Sequence, residues 1–137
     1  MHRLIVLARR RQPPARYNNI AVKLKVDETK EIEGIETRVM EERETLDGEL
    51  VEVSKNYVAI CNRNNSVFYF GEDVNIYENG EIVSHDGSWQ SGVDGARAGI
   101  IMPGTILLGS RYFHEIAPEV ATDRTEIVSI NKVVETP

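Results

Sequence analysis

The stretch "LDGELVEVSKNYVAIC", Leu46 to Cys61, decides the architecture. Its Asp47-Gly48 pair tolerates positive φ and so predicts a tight chain reversal. Behind that turn Val51, Val53, Tyr57, Ala59 and Cys61 occupy alternate positions, which places them on one face of an extended chain. A helix would scatter them around its axis. Leu50 to Cys61 therefore reads as one long strand leaving a hairpin.

The same period continues on both sides. Before the turn, "IETRVMEERET" sets Ile35, Thr37 and Val39 on one side, after a Glu33-Gly34 turn signal. Its Glu and Arg run would suit a helix, but the β-branched residues and flanking turns favour a strand. Further back, "IAVKLKVD" alternates Ile20, Val22, Leu24 and Val26 with Ala21, Lys23, Lys25 and Asp27. One face is expected on a core and the other in water. After the polar "NRNNS", the consecutive aromatics of "VFYFGED" predict a strand covered on both faces, and "YENGEIV" places Asn79-Gly80 between apolar runs as a third hairpin. Two later strands are expected in "SRYFHEIAP" and "RTEIVSINKVVETP", the second carrying Ile127, Val128, Ile130, Val133 and Val134. Nothing reads as a long amphipathic helix.

Successive hairpins make a meander, and a flat meander leaves its apolar face wet unless it curls or gains a second layer. The predicted fold is all-β: a strongly curved antiparallel meander sheet, a half-barrel, with one long glycine-rich loop, Ser88–Gly104, across its end. Residues 20–137 form a single domain on this reading. The arginine run, Pro13-Pro14 and Asn18-Asn19 predict a poorly ordered basic leader over 1–19.

Composition narrows the function classes. The chain has 137 residues, 41% hydrophobic and 28% charged, which suits one soluble globular domain. A net charge of -6 opposes binding to a phosphate backbone, so nucleic acid is not an expected partner. The basic cluster "RLIVLARRRQPPAR" encloses only the short apolar run Leu4 to Ala8, less than an export signal or a membrane span needs. Cys61 is the sole cysteine, so no internal disulfide forms, and its alternating neighbours mark it as a small buried hydrophobe.

The order of motifs carries a resemblance. "VFYFGEDVNIYENGEIVSHDGSWQSGVDGARAGIIMPG", followed by "GSRYFHEIAPEVATDRTEIVSI" and "VVETP", resembles a family of uncharacterised, mostly exported bacterial β-proteins, the TapB-like group, distantly akin to the curved-sheet lipoprotein carriers. The likeness spans Ile35 to Pro137 and is most specific from Tyr69 to Pro103. It implies a curved antiparallel sheet, an exported or cell-envelope location and no enzyme activity. The chain departs from the family pattern at both ends: Met1 to Asn19 shows no export signal, and the family's further strands after "VETP" are not present. The location stays open, and a truncated sheet with an exposed edge, prone to pair into a homo-oligomer, is expected.

Trp89, the sole tryptophan, heads the glycine-punctuated loop. Two readings apply: a plug, in which Trp89 and Ile100-Ile101-Met102 close the open end of the sheet, or a lid over an apolar ligand. Under the second, the ligand-binding residues are Tyr69, Trp89, Ile101, Met102 and Tyr112. Glu72, Asp73, His85, Asp86 and Asp94 are close in sequence, but "DGSWQSGVDGAR" lacks alternating oxygen donors and a closing glutamate, so solvated loop acids are expected rather than a calcium site. His2, His85 and His114 show no zinc spacing. His114-Glu115 and Asp123-Arg124 lie near no nucleophile motif, and Asp123-Arg124 is expected to fasten the start of a strand. The reading is a non-catalytic domain, with no cofactor or metal, that holds an apolar or amphipathic ligand or a protein partner on its concave face. The alternatives are an assembly subunit pairing through exposed sheet edges, and a hydrolase-like enzyme.

Overall fold

The structure is a computed structural model that describes residues 3–9 and 18–133. The described residues form ten strands and no helix: β1 (Arg3–Arg9), β2 (Asn18–Ile32), β3 (Ile35–Leu46), β4 (Glu49–Ile60), β5 (Val67–Glu78), β6 (Glu81–Ser84), β7 (Trp89–Gln90), β8 (Gly99–Met102), β9 (Arg111–Phe113) and β10 (Arg124–Val133). Residues 1–2, 10–17 and 134–137 lie outside the description, and with them His2, about half of the expected basic leader and the Val134 position. Within that leader, Arg3–Arg9 is β1 and pairs with β10, while Asn18-Asn19 opens β2.

Turn chemistry sets the meander. Glu33-Gly34, Asp47-Gly48 and Asn79-Gly80 all have positive φ at both residues, as type I′ reversals require, and their twist matches that of the strands they join. The result is the order β2-β3-β4-β5-β6, every neighbour antiparallel, in a large sheet not closed into a barrel. Ile35–Leu46 is a strand, not a helix. Register shifts between Lys25 and Thr29 on β2 and between Tyr57 and Val58 on β4 interrupt the ladders, and such irregularities bend a sheet and raise its twist.

The Ser88–Gly104 segment departs from the expected loop across an end. It lays β7 and β8 back onto β5, on the side where β6 pairs, with Trp89 against Glu72 and Gly99 against Tyr69. The physical reason is that β6 occupies only the Ile76–Glu78 end of β5. The remaining N–H and C=O groups of that edge need partners, and two short strands supply them. A separate three-stranded sheet, β1-β10-β9, completes the fold.

Alternation predicted which residues share a face but not which face is covered. Val58, Tyr69, Trp89, Ala96 and Ala117 make one buried cluster, joined by Met40, Val67 and Ile101. Ile32, Val39 and Tyr57 make a second, with Phe70 against it. Met40 and Val39 are consecutive, as are Val58 and Tyr57, so the clusters lie on opposite faces of the sheet. β4 is therefore covered on both sides, and its polar Ser54 and Asn56 are buried with its hydrophobes. On β2 the expectation is reversed: Ile20, Val22 and Leu24 are 55, 60 and 52% exposed. Their cross-strand neighbours on β3 are Glu44, Glu42 and Met40, and the two carboxylates do not build an apolar wall.

Candidate functional site

Tyr69 on β5 and Trp89 on β7 meet edge to face, ring centroids 5.3 Å apart and planes at 87°, the geometry aromatic quadrupoles favour. The His114 imidazole lies 5.3 Å from the same tyrosine ring. The Tyr69 hydroxyl donates to Asn56 Oδ1, and Asn56 Nδ2 donates to Ser54 Oγ at 3.1 Å and to the Met40 carbonyl at 3.4 Å. The Tyr69 hydroxyl is thereby satisfied from the neighbouring strand, as a buried polar group requires, whereas the Trp89 Nε1–H is buried without a hydrogen-bond partner among the described residues.

Two glycines allow this approach of chains. A Cβ on Gly71 would sit 2.4 Å from the Trp89 carbonyl oxygen, and one on Gly99 would sit 2.1 Å from the His114 carbonyl oxygen. Neither distance admits a side chain, so β7 and β8 come to rest on their partners because these positions carry none. Ser91 N–H then donates to the Phe70 carbonyl at 2.8 Å, and its hydroxyl donates to Glu33 Oε2, tying the tryptophan segment to the β2-β3 turn.

Of the residues predicted to bind a ligand, Tyr69, Trp89 and Ile101 come together in the first cluster. Met102 is opposite Val67 at the end of β8. Tyr112 is on β9 opposite Thr125, its hydroxyl buried without a hydrogen-bond partner among the described residues, and burial raises its pKa. The cavity beside Trp89, walled by Val93, Ala96, Ala117, Pro118 and Val120, has about 120 Å³. Ligand sites for small molecules run to roughly 300–1,000 Å³.

The predicted loop acids divide as well. Glu72 and Asp86 line a cleft of about 330 Å³ with Glu52 and Glu115, the last only 2% exposed; Glu52, Glu72 and Glu115 each have interaction partners. Asp73 accepts from the Tyr57 hydroxyl and lies 3.5 Å from Lys30 Nζ. His85 Nδ1 is 2.9 Å from the Val74 carbonyl oxygen. Among the described residues no group of three or more His, Cys, Asp or Glu is arranged to hold a metal ion. The Asp123 carbonyl accepts from the His114 N–H at 2.9 Å, and the Arg124 guanidinium stacks 4.8 Å from the Phe113 ring centroid, so this segment fastens β9 to β10.

Sequence reasoning missed the outer side of β2. Among the described residues that strand ends the meander, and its stretch from Asn18 to Lys25 pairs with β3 residue for residue before the register shift. On the opposite face from Ile20, Val22 and Leu24, Lys25 Nζ lies 3.1 Å from Glu41 and 3.9 Å from Glu28, and Lys55 donates to Glu28 at 2.8 Å. The bond from Lys25 lowers the Glu41 pKa, and the bond to Glu28 raises that of Lys55. The missed signal was the charge of Glu42 and Glu44, which share the face of the exposed trio.

The fold and these surfaces define an all-β protein with an open antiparallel sheet, a packed tryptophan cluster and an apolar-lined edge strand. No family model matches the chain, and no curated protein or solved structure matches it. Among the described residues no helix is long and apolar enough to cross a membrane.

Proposed function

We propose that this chain is a non-catalytic interaction module that holds an extended segment of a protein partner by strand addition at β2. The observation that carries the reading is the exposure of Ile20, Val22 and Leu24, each more than half open to solvent on a strand that ends its sheet among the described residues. Free main-chain N–H and C=O groups on such an edge give affinity, and alternate side chains give specificity. Fully burying a Val, Leu or Ile side chain contributes roughly 1.5–3 kcal/mol, so covering three that are half exposed contributes about 2–5 kcal/mol. Each new main-chain hydrogen bond adds about 0.5–1.5 kcal/mol. Against an association cost of roughly 4–15 kcal/mol, the binding is reversible and modest.

The tryptophan cluster supports this choice over a ligand lid. Its rings pack on one another, and the Tyr69 hydroxyl is engaged by Asn56, so the loop residues serve as packing against β5 and not as a lid. Kinship with the exported TapB-like family belongs to the same proposal and rests on the motifs quoted above.

The test uses an eight-residue peptide alternating threonine and valine. Titrated into the protein, it is expected to slow hydrogen exchange of alternate β2 amides saturably, and Val22→Lys is expected to abolish the effect. Unchanged β2 exchange at every peptide concentration would remove the reading.

A further inference from the structure

We infer that the partner best fitted to the β2 edge is a second copy of this chain, its β2 pairing antiparallel to the first about a two-fold axis at Val22. The inference rests on the strand-addition reading and names its occupant. In a two-fold pair of this kind, opposed residues share a sheet face, and each choice of centre fixes every contact. Centred on Val22, the pairing sets Ile20 against the partner's Leu24, Val22 against the partner's Val22, and Leu24 against the partner's Ile20. Each of the three exposed apolar side chains then meets another apolar side chain of the partner. A centre at Ala21 leaves Leu24 against the partner's Asn18, and a centre at Lys23 opposes two ammonium groups, which is unfavourable.

The limits of the pairing are also on the chain. The residues used, 19–25, stop at the register break after Lys25, where β2 ceases to run straight beside β3. Lysines usually guard a free edge. Here Lys25 is drawn inward to Glu41 at 3.1 Å and Glu28 at 3.9 Å of its own chain, and its side chain is 26% exposed. Lys23, on the same face, meets the partner's Ala21 in this register. The charges of the strand thus leave the pairing open. A stable interface covers about 800 Å² per partner, more than three half-exposed side chains supply, so the dimer forms and dissociates with concentration.

The experiment uses the full chain with Cys61→Ser, which removes the native thiol. Sedimentation from roughly 1 μM to roughly 1 mM is expected to show monomer passing to dimer. Val22→Lys and, separately, Leu24→Lys are expected to hold the chain monomeric with unchanged circular dichroism, because both side chains are exposed. On mild oxidation, Val22→Cys is expected to form a disulfide-linked dimer, and a mixture of Ile20→Cys with Leu24→Cys to cross-link, while Lys23→Cys alone cross-links at least tenfold more slowly. A monomer at every concentration, or Lys23→Cys linking as fast as Val22→Cys, overturns the inference. If the chain stays monomeric while the threonine–valine peptide still protects β2, the dimer falls and strand addition stands; if both fail, the reading beneath falls too.

Discussion

Tyr69 presents Trp89 with an edge-to-face contact, centroids 5.3 Å apart, while its hydroxyl donates to the Asn56 side-chain oxygen on the neighbouring β4. One residue thus joins the apolar packing of a loop to the polar interior of a sheet. The tryptophan is 7% exposed and the tyrosine 2%.

Trp89→Ala is expected to destabilise the fold by about 3–5 kcal/mol, the range for removing a large aromatic from a packed core. Trp89→Phe is expected to lose less, since a ring remains against Tyr69. Urea unfolding followed by far-UV circular dichroism checks both, and in the unmutated chain Trp89 emission shifts to longer wavelength across the same transition.

Tyr69→Phe removes one hydroxyl and leaves Asn56 Oδ1 without that donor in a buried site. The expected loss is about 1–3 kcal/mol. Combining it with Asn56→Ala is expected to cost less than the sum of the single changes, because the pair acts as one unit. A double-mutant cycle on urea midpoints measures the coupling.

Gly99→Ala would drive a methyl to 2.1 Å from the His114 carbonyl oxygen, so β8 must leave β5 or the His114 chain must move. Gly48→Ala meets nothing within 4 Å and carries only the strain of φ 86° in the β3-β4 turn. Thermal melts are expected to show a large loss for Gly99→Ala, above about 3 kcal/mol, and about 1 kcal/mol for Gly48→Ala.

Acid is expected to weaken the β2-β3 pairing. The hydrogen bond from Lys25 holds the Glu41 carboxyl below its ordinary value of 4.5, and the bond from Lys55 does the same for Glu28. A carboxyl whose folded pKa is lowered contributes stability fully above the unfolded value, and that contribution is lost as pH falls through the folded one. Stability should therefore decline below about pH 4.5, and Glu41→Gln should flatten that decline while lowering stability near pH 7 by about 0.2–1 kcal/mol. Urea midpoints between pH 7 and pH 3 for the two proteins test this.

Much of the strand pattern was legible because it is local. The reversals at Glu33-Gly34, Asp47-Gly48 and Asn79-Gly80 depend on two residues each, and the strands between them on a period of two. The predicted site was legible in part: Tyr69, Trp89 and Ile101 share a cluster, Met102 ends the same β5-β8 pairing opposite Val67, and Tyr112 stands apart at the β9-β10 pairing. Ser54 and Asn56 gave no sign of burial, since the segments that cover them, and the Tyr69 hydroxyl and Met40 carbonyl that bond Asn56, belong to other strands.

The sequence by itself determined that this chain is all-β, where its hairpins turn and which side chains share a face. The tertiary structure decided which faces are covered: it buried both sides of β4, returned the tryptophan segment to β5, paired β1 with β10 and left Ile20, Val22 and Leu24 in water. The reason is the range of the interactions. Alternation is written residue by residue along one strand, but coverage depends on what a distant segment brings to the surface, and there Glu42, Glu44 and the shortness of β6 outweighed the apolar pattern of β2.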